Sequence, residues 1–239
     1  MNKIKNVLIG LVATISLTSV AYAGSFGLGV TGSYLKIDAS GTESDAANTG
    51  TESSVRTKSV DNNAIIGSIY AEYSFNDASW AGTGNGITFG AKYTPGAADV
   101  SDKVERGTDA ETSITGTVAE VSNTRTRTAQ AEIDKYYNYY IELPVWKNLY
   151  VKAGRSTIDV TTLDTDNGTN AGTYPNATID GTNLGVGFKG VAGSNGNIVW
   201  KLAYEDTNFD TLTLTSTTSN TIKADLDTTE VNLSLGFRF

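Results

Sequence analysis

The 239-residue sequence contains no histidine and no cysteine. Without histidine it lacks the usual general base of neutral pH, the base of Ser-His hydrolases and the commonest zinc ligand. Without cysteine it has no disulfide framework and no cysteine for a lipid anchor. Positive charge is also scarce. Eighteen Lys and Arg stand against 26 Asp and Glu, for a formal net charge of −8. That balance argues against nucleic-acid binding, which needs a basic patch. Beyond the N-terminal region no apolar run approaches the ~20 residues of a membrane-spanning helix.

What is present begins with an export signal. Lys3 and Lys5 precede an apolar run, Val7 to Val20, that is short for a spanning helix, and Ala21-Tyr22-Ala23 supplies the A-x-A cleavage residues Ala21 and Ala23. The expected division is a cleaved leader over 1–23 and one domain over 24–239. Loss of Lys3 and Lys5 takes the formal charge from −8 to about −10. An exported chain without a spanning helix either stays in the periplasm, as a soluble β-sandwich would, or crosses a membrane as a closed sheet. An open sheet in lipid would leave costly unpaired backbone groups.

The stretch Thr229 to Phe239 favours the closed sheet. Val231, Leu233, Leu235, Phe237 and Phe239 share one parity; Glu230, Asn232, Ser234, Gly236 and Arg238 share the other. Strict alternation makes a strand with one apolar face, and about ten residues suffice for a tilted strand to cross hydrocarbon. The same alternation recurs over 24–38, 64–76, 87–94, 134–143, 149–159, 182–191 and 198–211. Polar stretches at about 39–62, 97–131, 160–180 and 212–227 read as long loops. They alternate with short turns at 77–86, 144–148 and 192–197, and Pro95-Gly96 is expected to end the third strand.

Long and short connections in alternation are the mark of an outer-membrane barrel, with long loops outside and short turns in the periplasm. Trp80 and Trp146 fall in the short turns and Trp200 follows one, while Tyr34, Tyr93, Tyr137 and Tyr204 lie nearer the other end. Two aromatic girdles at two membrane interfaces would be placed this way. The fold class expected is all-β, an eight-stranded antiparallel up-and-down transmembrane β-barrel. Two further β-like segments, 112–121 and 125–133, read as a hairpin above the membrane; as spanning strands they would make ten.

An eight-stranded barrel is just wide enough inside for side chains to fill it. The inward parity carries Glu72, Lys92, Glu142, Lys152, Lys201, Glu205, Glu230 and Arg238, four acids and four bases. Glu72 and Lys92 come to similar heights on adjacent strands, as do Glu142 and Lys152. Charges away from water persist only when paired, so these eight are expected to form an ion-pair plug. The alternative is a water-filled lumen, and with it a narrow porin for ions or small solutes. In the loops, Asp164, Asp166, Asn167 and Gly168 resemble part of a calcium loop, but the spacing is off and the bidentate Glu is missing. Arg125 and Arg127 could touch lipopolysaccharide phosphates as a local basic patch or be plain solvated charge. No metal, cofactor or catalytic residue is expected.

A terminal aromatic with apolar residues at every second place before it, together with an export signal, resembles the signature of bacterial outer-membrane β-barrels. The architecture resembles the OmpA-type transmembrane domain and the OmpX-like and opacity-type surface proteins. The resemblance implies the outer membrane of a Gram-negative bacterium, contact with lipid and lipopolysaccharide, and recognition of the terminal strand by the barrel-assembly machinery. Outer-membrane barrel enzymes known in such families rely on a catalytic histidine, which this chain lacks, so no enzyme is expected. The acidic loops are the natural place for a surface antigen to meet an extracellular ligand or phage, since loops on a rigid scaffold carry function.

Overall fold

The alternating stretches form strands that are longer than their apolar halves. The computed structural model describes residues 24–44, 55–75, 86–100, 104–106, 127–166, 173–193, 196–217 and 219–239. Their strands are β1 (Gly24–Ser44), β2 (Val55–Phe75), β3 (Thr88–Asp99), β4 (Val104–Arg106), β5 (Arg127–Trp146), β6 (Leu149–Asp166), β7 (Ala177–Ala192), β8 (Ile198–Phe209), β9 (Leu212–Thr215) and β10 (Thr221–Arg238). The export residues Ala21 and Ala23, together with Trp80, Arg125, Asn167 and Gly168, lie outside the described residues.

Eight strands close a ring in the order β1-β2-β3-β5-β6-β7-β8-β10, and β10 pairs back onto β1 from Gly27↔Arg238 to Ser44↔Thr221. Every pairing is antiparallel. The ring therefore has eight strands and not ten. β4 pairs with the start of β5, and β9 with the start of β10, as short upper continuations of β3 and β8. Closure removes the sheet edge, which is what a strand structure in lipid requires.

Several boundaries differ from the sequence reading. All four stretches read as long loops contain strand: β1 runs to Ser44, β2 starts at Val55, β6 reaches Asp166, and residues 212–227 hold β9 and the start of β10 around a turn at 216–220. Pro95-Gly96 does not end β3 but makes a bulge in it, with Gly96 at φ +97°. Pro144 lies inside β5, and the hairpin turn is Lys147-Asn148, with Lys147 at φ +45°. Positive φ is what a two-residue hairpin turn demands.

The longer strands have a common cause. In the half with the short turns, apolar residues face out: Leu28, Val30, Ile69, Phe89, Leu202 and Leu233 are all exposed. On β10 this belt climbs from Phe239 to Val231, about 20 Å of height at ~3.3 Å per residue and a tilt near 40°. Beyond the tyrosines Tyr34 and Tyr204 the two faces exchange chemistry while keeping parity. Outward positions become Lys36, Asp38, Asp206 and Asp227, and inward positions become Leu35, Ile37, Phe209 and Leu226. The inward side chains join Ile133, Ile158, Val160, Ile179, Leu212 and Leu214 in one buried cluster. The outward polar residues bond along the wall, as in Thr157 to Asp180 (2.6 Å), Thr178 to Asp159 (2.6 Å) and Arg155 to Thr182 (2.9 Å). This inversion marks the height at which the wall leaves lipid for water, and with it the molecule is a transmembrane barrel of the outer-membrane type.

Candidate functional site in the barrel lumen

Inside the belt the inward residues are polar. Glu72, Lys92, Glu142, Lys152, Lys201, Glu205 and Glu230 are all buried there, and a further lysine, Lys189, is buried with them. They form two chains of contacts. Glu72 pairs with Lys201, Lys201 with Glu142 at 2.7 Å, and Glu142 with Lys189 at 3.3 Å. In the other, Lys152 pairs with Glu205 at 2.7 Å, Lys92 with the same carboxylate at 3.7 Å, and Lys92 with Glu230 at 2.7 Å. Each chain holds two acids and two bases, so each is neutral as a unit. Bringing such charges out of water costs several kcal/mol per ion unless geometry and further hydrogen bonds compensate.

The pairs cross the lumen and do not run along neighbouring strands. Glu142 and Lys152 face each other in the β5–β6 register, yet Lys152 gives its short contact to Glu205 on β8. Glu72 and Lys92 are two residues out of register on β2 and β3, and their contacts go to Lys201 on β8 and Glu230 on β10. Each contact is thus a strut between strands separated in the ring. Arg238 is half-buried near the short-turn end, and no ion pair among the described residues includes it.

Four inward tyrosines complete the lumen: Tyr70, Tyr136, Tyr140 and Tyr150 are all buried. Each lysine of the network lies over one of their rings. Lys152 stands 4.1 Å from the centroid of Tyr140, Lys201 5.3 Å from Tyr70, and Lys92 and Lys189 5.5 Å from Tyr136 and Tyr150. A cation over an aromatic face in a desolvated site gains about 2 kcal/mol or more. The rings need room against the wall, and glycine supplies it. A Cβ at Gly90 would strike the Tyr140 ring, and one at Gly29 or Gly236 would strike Tyr70. Further hydrogen bonds fill the gaps, among them Asn138 to Ser156 (2.9 Å), Asn183 to Thr207 (2.9 Å) and, from a charged donor, Lys189 to Thr88 (3.1 Å). The space left among Thr31, Tyr70, Lys201 and Asn232 is about 20 Å³, room for about one water.

The described apolar and aromatic residues singled out in the sequence lie on the outer surface. Val231, Leu233, Leu235, Phe237 and Phe239 project outward, exposed, from the strand that closes the ring. Trp146 and Trp200 are exposed near the short-turn end, Tyr34 and Tyr204 at the upper edge of the belt, and Tyr93 stacks on Tyr137 at 4.7 Å. The backbone of Asp164, Asp166 and Arg127 belongs to β6 and β5 and not to loops. Among the described residues no acidic cluster is arranged to hold a metal. Above the belt, Lys135 sits at a bulge with φ +52°; its hydrogen bond to Asp159 and the nearby Asp134 hold its ammonium pKa above the ordinary lysine value.

No family model and no curated protein matches the sequence. Solved structures similar to the chain include Ail, the attachment invasion locus protein of Yersinia pestis, in complex with the heparin analogue sucrose octasulfate. That match has 16% identity and a TM-score of 0.38, covering 90% of this chain and 97% of the other. The outer membrane protease OmpT from Escherichia coli matches at 10% identity and a TM-score of 0.46, covering 90% and 97%. The outer membrane protein OprG from Pseudomonas aeruginosa matches at 14% and 0.36, covering 91% and 97%. What those proteins bind or cut remains a property of theirs.

Proposed function

We propose that the protein is an integral outer-membrane barrel whose body is a closed, non-conducting scaffold and whose work lies at its outer, acidic end, in contacts with molecules outside the cell. The observation that carries this reading is the filling of the lumen. Eight buried charges pair off to neutrality in the lower half, and an apolar cluster occupies the upper half. An ion on this route would meet paired charges that have no attraction to spare, then a predominantly apolar layer that cannot replace its hydration. Lipid and lipopolysaccharide surround the belt in this reading. Ala21 and Ala23 serve export, and the outward apolar row of β10 serves recognition by the barrel-assembly machinery. An extracellular ligand or a phage meets the loops.

The test is conductance of the refolded protein in a planar bilayer. The closed scaffold gives no steady current at any moderate voltage. A steady, large current from the unmodified protein overturns it and makes the barrel a narrow porin.

A further inference from the structure

Near the upper edge of the belt the described outward cations are Lys36, Lys135 and Arg155. Two of them are paired. Lys36 holds Asp38 at 2.8 Å, and Lys135 faces Asp159 at 3.4 Å and Asp134 at 3.5 Å. Arg155 differs. It is exposed, and among the described residues it meets a neutral group: Nη1 donates to the Thr182 hydroxyl at 2.9 Å. No carboxylate among the described residues pairs with it. Those nearest along the sheet are engaged elsewhere. Asp180 accepts from Thr157 at 2.6 Å, and Asp206 accepts from Thr229 at 3.2 Å.

The position of Arg155 on the wall decides what can meet it. In the register it faces Tyr139 on β5 and Thr182 on β7. One outward row below, Ala153 lies beside Leu184, which is 59% exposed on the belt. One outward row above, Thr157 lies beside Asp180. Arg155 thus stands at the last row before water, with the apolar belt directly beneath it. A guanidinium is charged at every ordinary pH and holds five N–H donors in a fixed plane. Thr182 takes one of them and so orients the fork, and its own O–H remains as a further donor beside it. At the edge of hydrocarbon a cation with unmet donors is costly. The group that matches a planar fork is an oxyanion bound through two parallel N–H···O bonds.

We infer that Arg155 and Thr182 form a binding site for a phosphate group, and that a lipid of the surrounding membrane supplies it. A bilayer presents phosphate at this height. The apolar row beneath favours a phosphate that carries chains over a dissolved ion, because the chains lie on Ala153 and Leu184 while the phosphate reaches the fork. The inference rests on the barrel lying in a bilayer, and its test separates the two. The protein is labelled with nitrogen-15 at arginine and at the leucine methyls, is otherwise deuterated, and is refolded into phospholipid vesicles in phosphate-free buffer. Dephasing of arginine side-chain nitrogen by phosphorus-31 is read by solid-state magnetic resonance, and lipid-chain contacts are read at the Leu184 methyls. The Arg155 signal is the one that disappears in Arg155→Lys.

The site gives chain contacts at Leu184 and dephasing at Arg155 that fits a nitrogen–phosphorus distance of ~4 Å, as a charge-assisted hydrogen bond requires. In Thr182→Val the guanidinium loses its tether, and the dephasing should fall by at least half. Leu184 contacts without dephasing overturn the site and leave the barrel in its bilayer. Loss of the Leu184 contacts as well overturns both. Dephasing unchanged in Thr182→Val overturns the part given to Thr182. A second sample separates the sources of phosphate: vesicles of a phosphorus-free galactolipid, with inorganic phosphate added to the buffer. There Arg155 should show no dephasing while Leu184 keeps its chain contacts. Dephasing in that sample overturns the assignment to a lipid and leaves a site for dissolved phosphate.

Discussion

The lower and upper halves of the lumen are built on the same eight strands, yet they are filled by opposite chemistry. In the lower half lysine, glutamate and tyrosine interlock through charge and ring faces. In the upper half isoleucine, leucine and phenylalanine pack as they would in a soluble protein. Neither half chose its filling independently. Where the outside is lipid, the outward parity must be apolar and the inward parity is left for polar residues. Where the outside is water, the outward parity can be polar and the inward parity can form an ordinary hydrophobic core. The solvent outside the wall therefore sets the contents within it.

The two halves should fail differently, and that difference can be measured. Glu142 holds both Lys201 and Lys189, so Glu142→Ala leaves the buried ammonium of Lys189 without a carboxylate and Lys201 with Glu72 alone. The expected loss is about 3–5 kcal/mol, read by urea unfolding in detergent or vesicles; a loss below ~1 kcal/mol would mean that water already reaches these lysines. Ile158→Ala in the upper half should cost about 2–4 kcal/mol through a cavity alone. Conductance sharpens the contrast. Glu142→Ala should still pass no steady current, because the apolar half above it is intact; a current from this single change would show that the charged half alone is the seal.

A smaller effect tests whether the struts act as pairs. Lys92→Met with Glu230→Met leaves the Lys152–Glu205 contact in place. The double variant should lose less stability than Lys92→Met and Glu230→Met lose in sum when measured singly, with a coupling of about 1–3 kcal/mol. Additive losses would make these two charges independent. Smallest of all, Asp38→Asn on the outer wall removes an exposed partner of Lys36 and should change stability by less than ~0.5 kcal/mol. A larger change would mean that the polar exterior of the upper half is more than a wetted surface.

Much of this was legible in the sequence, because strand periodicity is local and a lipid-facing strand must keep it. The terminal strand and the inward positions of the acids followed from parity; the count of eight also needed the alternation of long and short connections and the reading of 112–121 and 125–133 as a hairpin and not as spanning strands. The upper half was not legible, for a specific reason. At Tyr34-Leu35 the apolar residues pass from one parity to the other, so a search for a continuing outward apolar face meets Lys36 and Asp38 and reads a loop. On β5 the bulge at Lys135 disrupts the count as well. Lys189 was missed because it follows the outward Phe188 on a strand whose inward row is largely glycine. Pairing partners could not be read at all. Sequence gives the height of a charge on its own strand, whereas the struts depend on which strands face one another across the closed ring.

The strands that rise above the tyrosines make a stalk. From Tyr34 to Ser44 β1 climbs ten residues, about 25 Å at ~3.3 Å per residue and the tilt of a small barrel. The polar headgroup zone on one side of a bilayer is only about 5–8 Å deep. Segments hung from this stalk thus begin well clear of the lipid, on a pedestal stiffened by its own apolar centre. They can lengthen, shorten or change sequence without the bilayer registering the change.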